Sequence, residues 1–474
     1  MTRNRWALVA VALATFMTYL DNNIVNVAIP DIQRELGLTT SGIEWVVSGY
    51  ILTFAGLLLA GGRLADRYGR RRLFLVGLAI FTISSLLAGL AGGATTLIAA
   101  RALQGIGAAT VTPTTLAIIS ATFTDPRERN AAVGIWGGVG ALALAVGPVL
   151  GGLLTQHVSW EWIFWINLPV GIATMALGAW AITESREDEA RPLDLAGLGL
   201  STVSLFALTW ALIEGHGRGW TSTGILGAFA FAAATALAFV VVERRVAQPM
   251  VDVTLFRRME FTGGIVALML WAFGLFGIYF FTSLYLQGVL GFSPTKAGAA
   301  FVPMALLMAG SAIVSDRVAA RFGAYRSTGF GMLAMGLAIA SVALLGKDAT
   351  FLSLMPSFAV IGLGGGMTIP LTATVLGVMP TSQAGVASAV FNASREVAGL
   401  LGITVIGAVL TSRQGAALAA GRSPADAYLS GFHWGLLLAG ALVVSGGAMA
   451  FGALRRAHHA AQEEPARQDL VLVG

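Results

Sequence analysis

Fourteen apolar stretches of roughly 20 residues follow one another along this chain, the first at 6–28 and the last at 432–453. Each is long enough to cross a hydrocarbon layer about 30 Å thick. No water reaches the backbone there, so each stretch has to satisfy its own peptide groups as a helix. With 56% hydrophobic and 11% charged residues, too little polar surface exists to cover a water-soluble globule. The expected fold class is therefore all-α integral membrane, with 14 transmembrane helices.

The first stretch follows Arg3 and Arg5, outruns a signal-peptide core and lacks a small-residue cleavage site, so it reads as a membrane helix. No connection exceeds about 20 residues, which leaves no room for a soluble catalytic domain. The polar residues 454–474 read as a disordered cytoplasmic tail. The chain has no cysteine, which excludes disulfide and thiol chemistry. Gly346-Lys347 is followed by Asp348 and lacks the earlier glycine of a phosphate loop, so no nucleotide is expected as energy source. No enzyme, cofactor or metal site is expected.

Orientation follows from the basic residues, which are held in excess on the cytoplasmic side. With the N-terminus inside, 21 of the 29 Lys and Arg fall in cytoplasmic segments and six outside, while Arg101 and Arg395 lie within helices. Both termini are expected in the cytoplasm, in a multi-pass cell membrane protein. The net charge of +5 needs no nucleic acid, because basic loops facing anionic membrane lipid account for it.

A repeat organises the stretches. Gly62-Arg63-Leu64-Ala65-Asp66-Arg67-Tyr68-Gly69-Arg70-Arg71-Arg72 follows the second, and a weaker copy follows the tenth. At a fixed offset of 254 residues, Arg67 matches Arg321, Gly69 matches Gly323 and Arg72 matches Arg326. The expected organisation is two six-helix repeat halves, residues 1–183 and 261–453, around a two-helix insert with linkers at 184–260. A repeat interface near the midplane is where a transporter places its substrate.

These motifs resemble the major facilitator superfamily, in its fourteen-helix drug:proton antiporter branch. The resemblance runs the length of the chain. Besides the loop at 62–72 it rests on Leu20-Asp21-Asn22-Asn23-Ile24-Val25-Asn26-Val27-Ala28-Ile29-Pro30, on Arg101-Ala102-Leu103-Gln104-Gly105-Ile106-Gly107-Ala108, and on Gly147-Pro148-Val149-Leu150-Gly151-Gly152. Trp162-Ile163-Phe164 and Ile166-Asn167-Leu168-Pro169 fit as well. The resemblance implies a proton-coupled antiporter exporting small lipophilic drugs, antibiotics or secondary metabolites. Uptake by the same fold is the alternative, against which the fifth-stretch motif Gly147, Pro148, Gly151 and Gly152 weighs.

An ionisable group at the bilayer centre costs about 2.5 to 3.5 kcal/mol, so four unpaired ones would cost on the order of 10 kcal/mol. The four here are Asp21, Arg101, Arg395 and Glu396, two acids and two bases. Asp21 and Arg101 share a depth in the outer half and read either as a structural ion pair or as a proton-exchange site. All five histidines lie in loops, helix ends or the tail, so a carboxylate has to carry the proton. Apolar surroundings favour the neutral acid and a nearby Arg favours the anion, so changing the Asp21 to Arg101 distance would load and release it. Glu396 shares that role or simply pairs with Arg395. Candidate contacts to a small lipophilic substrate are Asn22, Asn26, Tyr50, Gln104, Tyr279, Phe280, Tyr285, Gln287 and Asn392. Gly62, Asp66, Arg67, Gly69 and Arg70 read as a conformational latch, with Asp66 expected at the N-terminus of a neighbouring helix and Gly69 in a tight turn.

Overall fold

A computed structural model describes residues 2–187, 194–377 and 384–472. Among them all regular structure is helical: α1 Arg3–Leu36, α2 Thr40–Tyr68, α3 Arg70–Gly89, α4 Ala94–Thr122, α5 Pro126–His157, α6 Trp162–Trp165, α7 Asn167–Ala181, α8 Leu195–Arg218 and α9 Thr223–Glu243. A 3₁₀ turn at Val253–Arg257 leads into α10 Met259–Gly288, α11 Pro294–Ala300, α12 Val302–Phe322, α13 Ala324–Val342, α14 Phe351–Gly366, α15 Ile369–Gly377, α16 Ala384–Ala419 and α17 Pro424–Leu472. The fourteen stretches all map onto these helices. The sixth, tenth and twelfth are each broken into two helices, at Ile166, Phe301 and around Met367.

Thirteen spans among the described residues are long and apolar enough to cross a membrane. The eleventh stretch, α13, falls outside that set. It opens on Tyr325, Arg326, Ser327 and Thr328, and Gly329, Gly331 and Gly336 press against Phe451, Gly364 and Gly440 of its neighbours. Close packing through small residues takes the place of a long apolar face there. α17 runs on to Leu472, so the segment expected to be a disordered tail is helical in backbone, in keeping with its Ala, Arg, Gln and Glu content.

The chain divides into two compact units. One comprises residues 1–250 together with 279–302 and 403–412, and the other comprises 251–278, 303–402 and 413–474. The linker residues 188–193 of the expected two-helix insert lie outside the described residues. In the first unit α8 and α9 pack on each other and α8 lies on α2. The repeated loop takes the same turn in both copies: Gly69 sits at φ 111°, ψ 128° and Gly323 at φ 89°, ψ 140°. Both are left-handed conformations that a residue with a Cβ rarely adopts, which explains the glycine at each.

Candidate functional site

Asp21 lies on the buried side of α1 and receives three donors. Arg101 Nη1 reaches Oδ2 at 2.6 Å, while Gln104 Nε2 and Asn167 Nδ2 reach Oδ1 at 2.7 and 2.9 Å. Arg101 and Gln104 are three apart on α4 and so share one face, and Gln104 Oε1 accepts from Arg101 at 2.6 Å. Asn167 begins α7 just after the break at Ile166, and Ser85 of α3 accepts from both amides at 2.7 and 3.3 Å. The Arg101 guanidinium also donates to the Val46 carbonyl of α2 at 3.3 Å and lies 4.3 Å from the Tyr50 ring centre and 5.7 Å from that of Phe164. Asp21, Ser85, Arg101 and Gln104 are 0% exposed and Asn167 1%.

Side chains from α4 and α7 thus converge on the Asp21 carboxylate. A buried ion pair repays its desolvation only when further hydrogen bonds satisfy the remaining lone pairs, and the Gln104 and Asn167 amides do so here while also donating to Ser85. Both Asp21 oxygens are hydrogen-bonded, while Arg101 Nη2 is buried without a hydrogen-bond partner.

The other candidate residues separate by surroundings. Gln104 and Tyr50, expected to contact substrate, contact Asp21 and Arg101 respectively. Tyr279, Phe280 and Tyr285 are buried, with Tyr279 stacked on Phe301 at 5.0 Å. Gln287 ties α10 to the Val27 carbonyl of α1 at 2.8 Å. Asn22 and Asn26 are half-buried, and Asn26 Oδ1 has no protein partner, so these two keep polar capacity beside Asp21 on α1. In the other unit, Glu396 Oε1 accepts from Arg395 Nε at 3.1 Å and Nη2 at 2.6 Å. Glu396 is 2% exposed and its Oε2 is buried without a partner. Asn392 is half-buried one turn before it.

The Gly-Pro motif of α5 makes its closest contacts with α1 and with the α11 segment. A Cβ on Gly147 would sit 3.0 Å from Asn23 Cβ, and one on Gly151 2.6 Å from the Ile24 carbonyl. Gly152 abuts the Pro294 carbonyl, and Gly298 of α11 abuts that of Pro148. α5 therefore lies on the same turn of α1 that carries Asn22 and Asn26.

The loop at 62–72 is tied to the end of α7. Asp66 pairs with Arg70 at 2.8 Å, and Arg70 also reaches Glu187 at 3.1 Å. The acid at the N-terminus of α3 is Glu184, which accepts from the Arg71 and Arg72 amides at 3.0 and 3.1 Å. The expected role of Asp66 there is thus filled from another segment, because Asp66 Oδ1 is taken by Arg70 one turn on. Arg67 lies 5.4 Å from the Tyr68 ring, and Gly62 rests on Pro113.

A cavity of about 730 Å³ opens between the first half of α1 and the first half of α5, lined by Leu8, Leu13, Phe16, Phe123 and Ile135, with Arg5 and Glu128 supplying charge.

The sequence pattern of the Major Facilitator Superfamily matches residues 11–403. The chain belongs to this superfamily. A tetracenomycin C resistance and export protein from Streptomyces glaucescens is 35% identical over 410 residues, 86% of this chain and 76% of that protein. A puromycin resistance protein from Streptomyces alboniger is 37% identical over 429 residues, covering 89% and 85%. The multidrug resistance protein Stp from Mycobacterium tuberculosis is 35% identical over 408 residues, covering 85% and 75%. Among solved structures, the POT family transporter PepTSo superposes with a TM-score of 0.69 at 14% identity, covering 96% of this chain and 98% of that one. A bacterial homologue of the human lysosomal transporter Spinster gives 0.67 at 18%, with the same coverage.

This member of the superfamily is thus a many-span membrane transporter rather than an enzyme. Sequence reasoning paired Asp21 with Arg101 but missed Ser85 and Asn167. Asn167 stood in a quoted motif, yet its depth relative to Asp21 depends on the break at Ile166, which no periodicity announces. Ser85 had no signal at all, one hydroxyl among many in apolar helices.

Proposed function

We propose that the chain is a proton-coupled antiporter that exports small lipophilic drugs, antibiotics or secondary metabolites across the cytoplasmic membrane, with both termini inside. The resistance and export proteins among its relatives support the substrate class and the direction. The observation that carries the coupling is the buried Asp21 carboxylate with Arg101 as its exchangeable partner. A proton on Asp21 releases Arg101, and loss of the proton restores the pair. Substrate and proton are coupled because the site cannot hold both.

The cavity between α1 and α5 suits a drug-sized apolar molecule, since such sites span about 300 to 1,000 Å³. Asn22 and Asn26 lie further along the same helix, just beyond Asp21. Glu396 with Arg395 is a second acid and base pair, available for a further proton. Asp66, Arg67, Gly69 and Arg70 act as the latch that holds α2, α3 and the segment after α7 together during the cycle, and the close packing of α5 on α1 seals the path against proton leak.

Everted membrane vesicles with an imposed proton gradient test this reading with a panel of lipophilic cations and neutral antibiotics. Accumulation of a panel member that collapses with uncoupler is the expected result. Accumulation of the same compound indifferent to the gradient would refute proton antiport.

A further inference from the structure

Glu44 takes no part in the Asp21 network. It sits in the second turn of α2, is 2% exposed, and its Oε1 is buried without a hydrogen-bond partner. Ser48, one turn further along the same face, is likewise buried with an unpartnered Oγ. What covers the carboxyl is Gly407 of α16: a Cβ there would overlap Oε1 and lie 3.0 Å from Oε2. Residues 403–412 of α16 belong to the same compact unit as α2.

The charged groups around Glu44 offer it no counter-ion. From α8 it meets Glu214, a second acid, which itself accepts from Trp45 at 3.2 Å and Arg218 at 3.4 Å. From α4, the Arg101 guanidinium is committed to Asp21 and the Val46 carbonyl. From α1, Asp21 is in that pair and Asp31 is paired with Arg34. α3 carries its arginines 70, 71 and 72 at the opposite end, and residues 403–412 contain no ionisable side chain. The buried Oε1 of an anion in this place would have no donor, whereas a neutral carboxyl group is tolerated there.

We propose that Glu44 is a proton-binding site that governs the contact between α2 and residues 403–412 of α16: protonated, it lets the two close, and ionised, it holds them apart in contact with water. The ligand is a proton, and the acid is distinct from Asp21. α16 is one continuous helix whose residues 384–402 belong to the second unit and whose residues 403–412 belong to the first. The inference rests on the transporter reading, because parting of this contact would be one stage of an alternating-access cycle.

Its test needs no substrate. The chain has no cysteine, so Thr40→Cys with Ser412→Cys carries two spin labels without background. The full-length protein in lipid nanodiscs is scanned from acid to alkaline pH by pulsed electron resonance. The short-distance population is expected to fall at least about threefold as pH rises, and Glu44→Gln keeps it at every pH. Glu44→Ala, which removes the acid with a smaller side chain, gives the same pH-independent population and supplies the reading if the Gln variant does not fold. Asp348→Asn, which removes an exposed acid far from this contact in sequence, retains the pH response. An unchanged response in the Glu44 variants, or its loss in Asp348→Asn as well, overturns the proposal.

Discussion

Arg101 is the residue on which the buried network turns. It holds Asp21, Gln104 and the Val46 carbonyl and lies over Tyr50, so removing it strands an anion with two amides for company. Arg101→Ala is expected to destabilise the protein by about 3 to 5 kcal/mol, read as a lower unfolding temperature in detergent. Adding Asp21→Asn to it recovers part of that loss, because the uncompensated charge goes too; full additivity in the double variant would show that the two do not interact. Asn167→Ala removes one donor and exposes the pair to less correction, so a smaller loss of about 1 to 3 kcal/mol is expected in the same assay. At this scale the sequence was legible where charge made it so. Two opposite charges at one depth in an apolar chain can hardly avoid each other. The neutral partners were not legible, because Ser, Asn and Gln carry no penalty large enough to mark them. Gln104 is ambiguous for the same reason: an amide in an apolar helix looks equally like a ligand contact and like a strut.

Among elements, the joins are set by glycine and by one acid. α5 lies on α1 and α11 through Gly147, Gly151 and Gly298, with no space for a side chain. Gly151→Leu is therefore expected to abolish transport while Gly134→Ala, where an added Cβ meets nothing within 4 Å, leaves it intact; transport by Gly151→Leu at the parent rate would show that the contact is dispensable. Glu184 holds the N-terminus of α3 from beyond α7, and Glu184→Ala is expected to cost about 1 kcal/mol of stability, as loss of a helix cap does. The apolar pattern located every helix, since length and hydrophobicity are imposed by the bilayer itself. It did not show the breaks at Ile166 and Phe301, which arise from packing between helices, nor that α13 would rely on small residues more than on an apolar face.

At the scale of the whole molecule, superfamily membership and the export proteins among the relatives agree with the motifs from which transport was read. The repeat was visible because the turn at Gly69 and Gly323 demands a left-handed residue in both copies. Glu44 escaped notice because it stands at the edge of its apolar stretch, where an acid looks like an ordinary helix end. Only the position of Gly407, more than 300 residues away in sequence, reveals that it is covered. The central claim is that Asp21 exchanges a proton for substrate. It is tested most directly by adding a transported compound to purified protein in weakly buffered detergent and recording proton release with a pH-sensitive dye. The parent protein is expected to release protons on binding and Asp21→Asn to release none. Undiminished release from Asp21→Asn, with the compound still bound, would contradict the account.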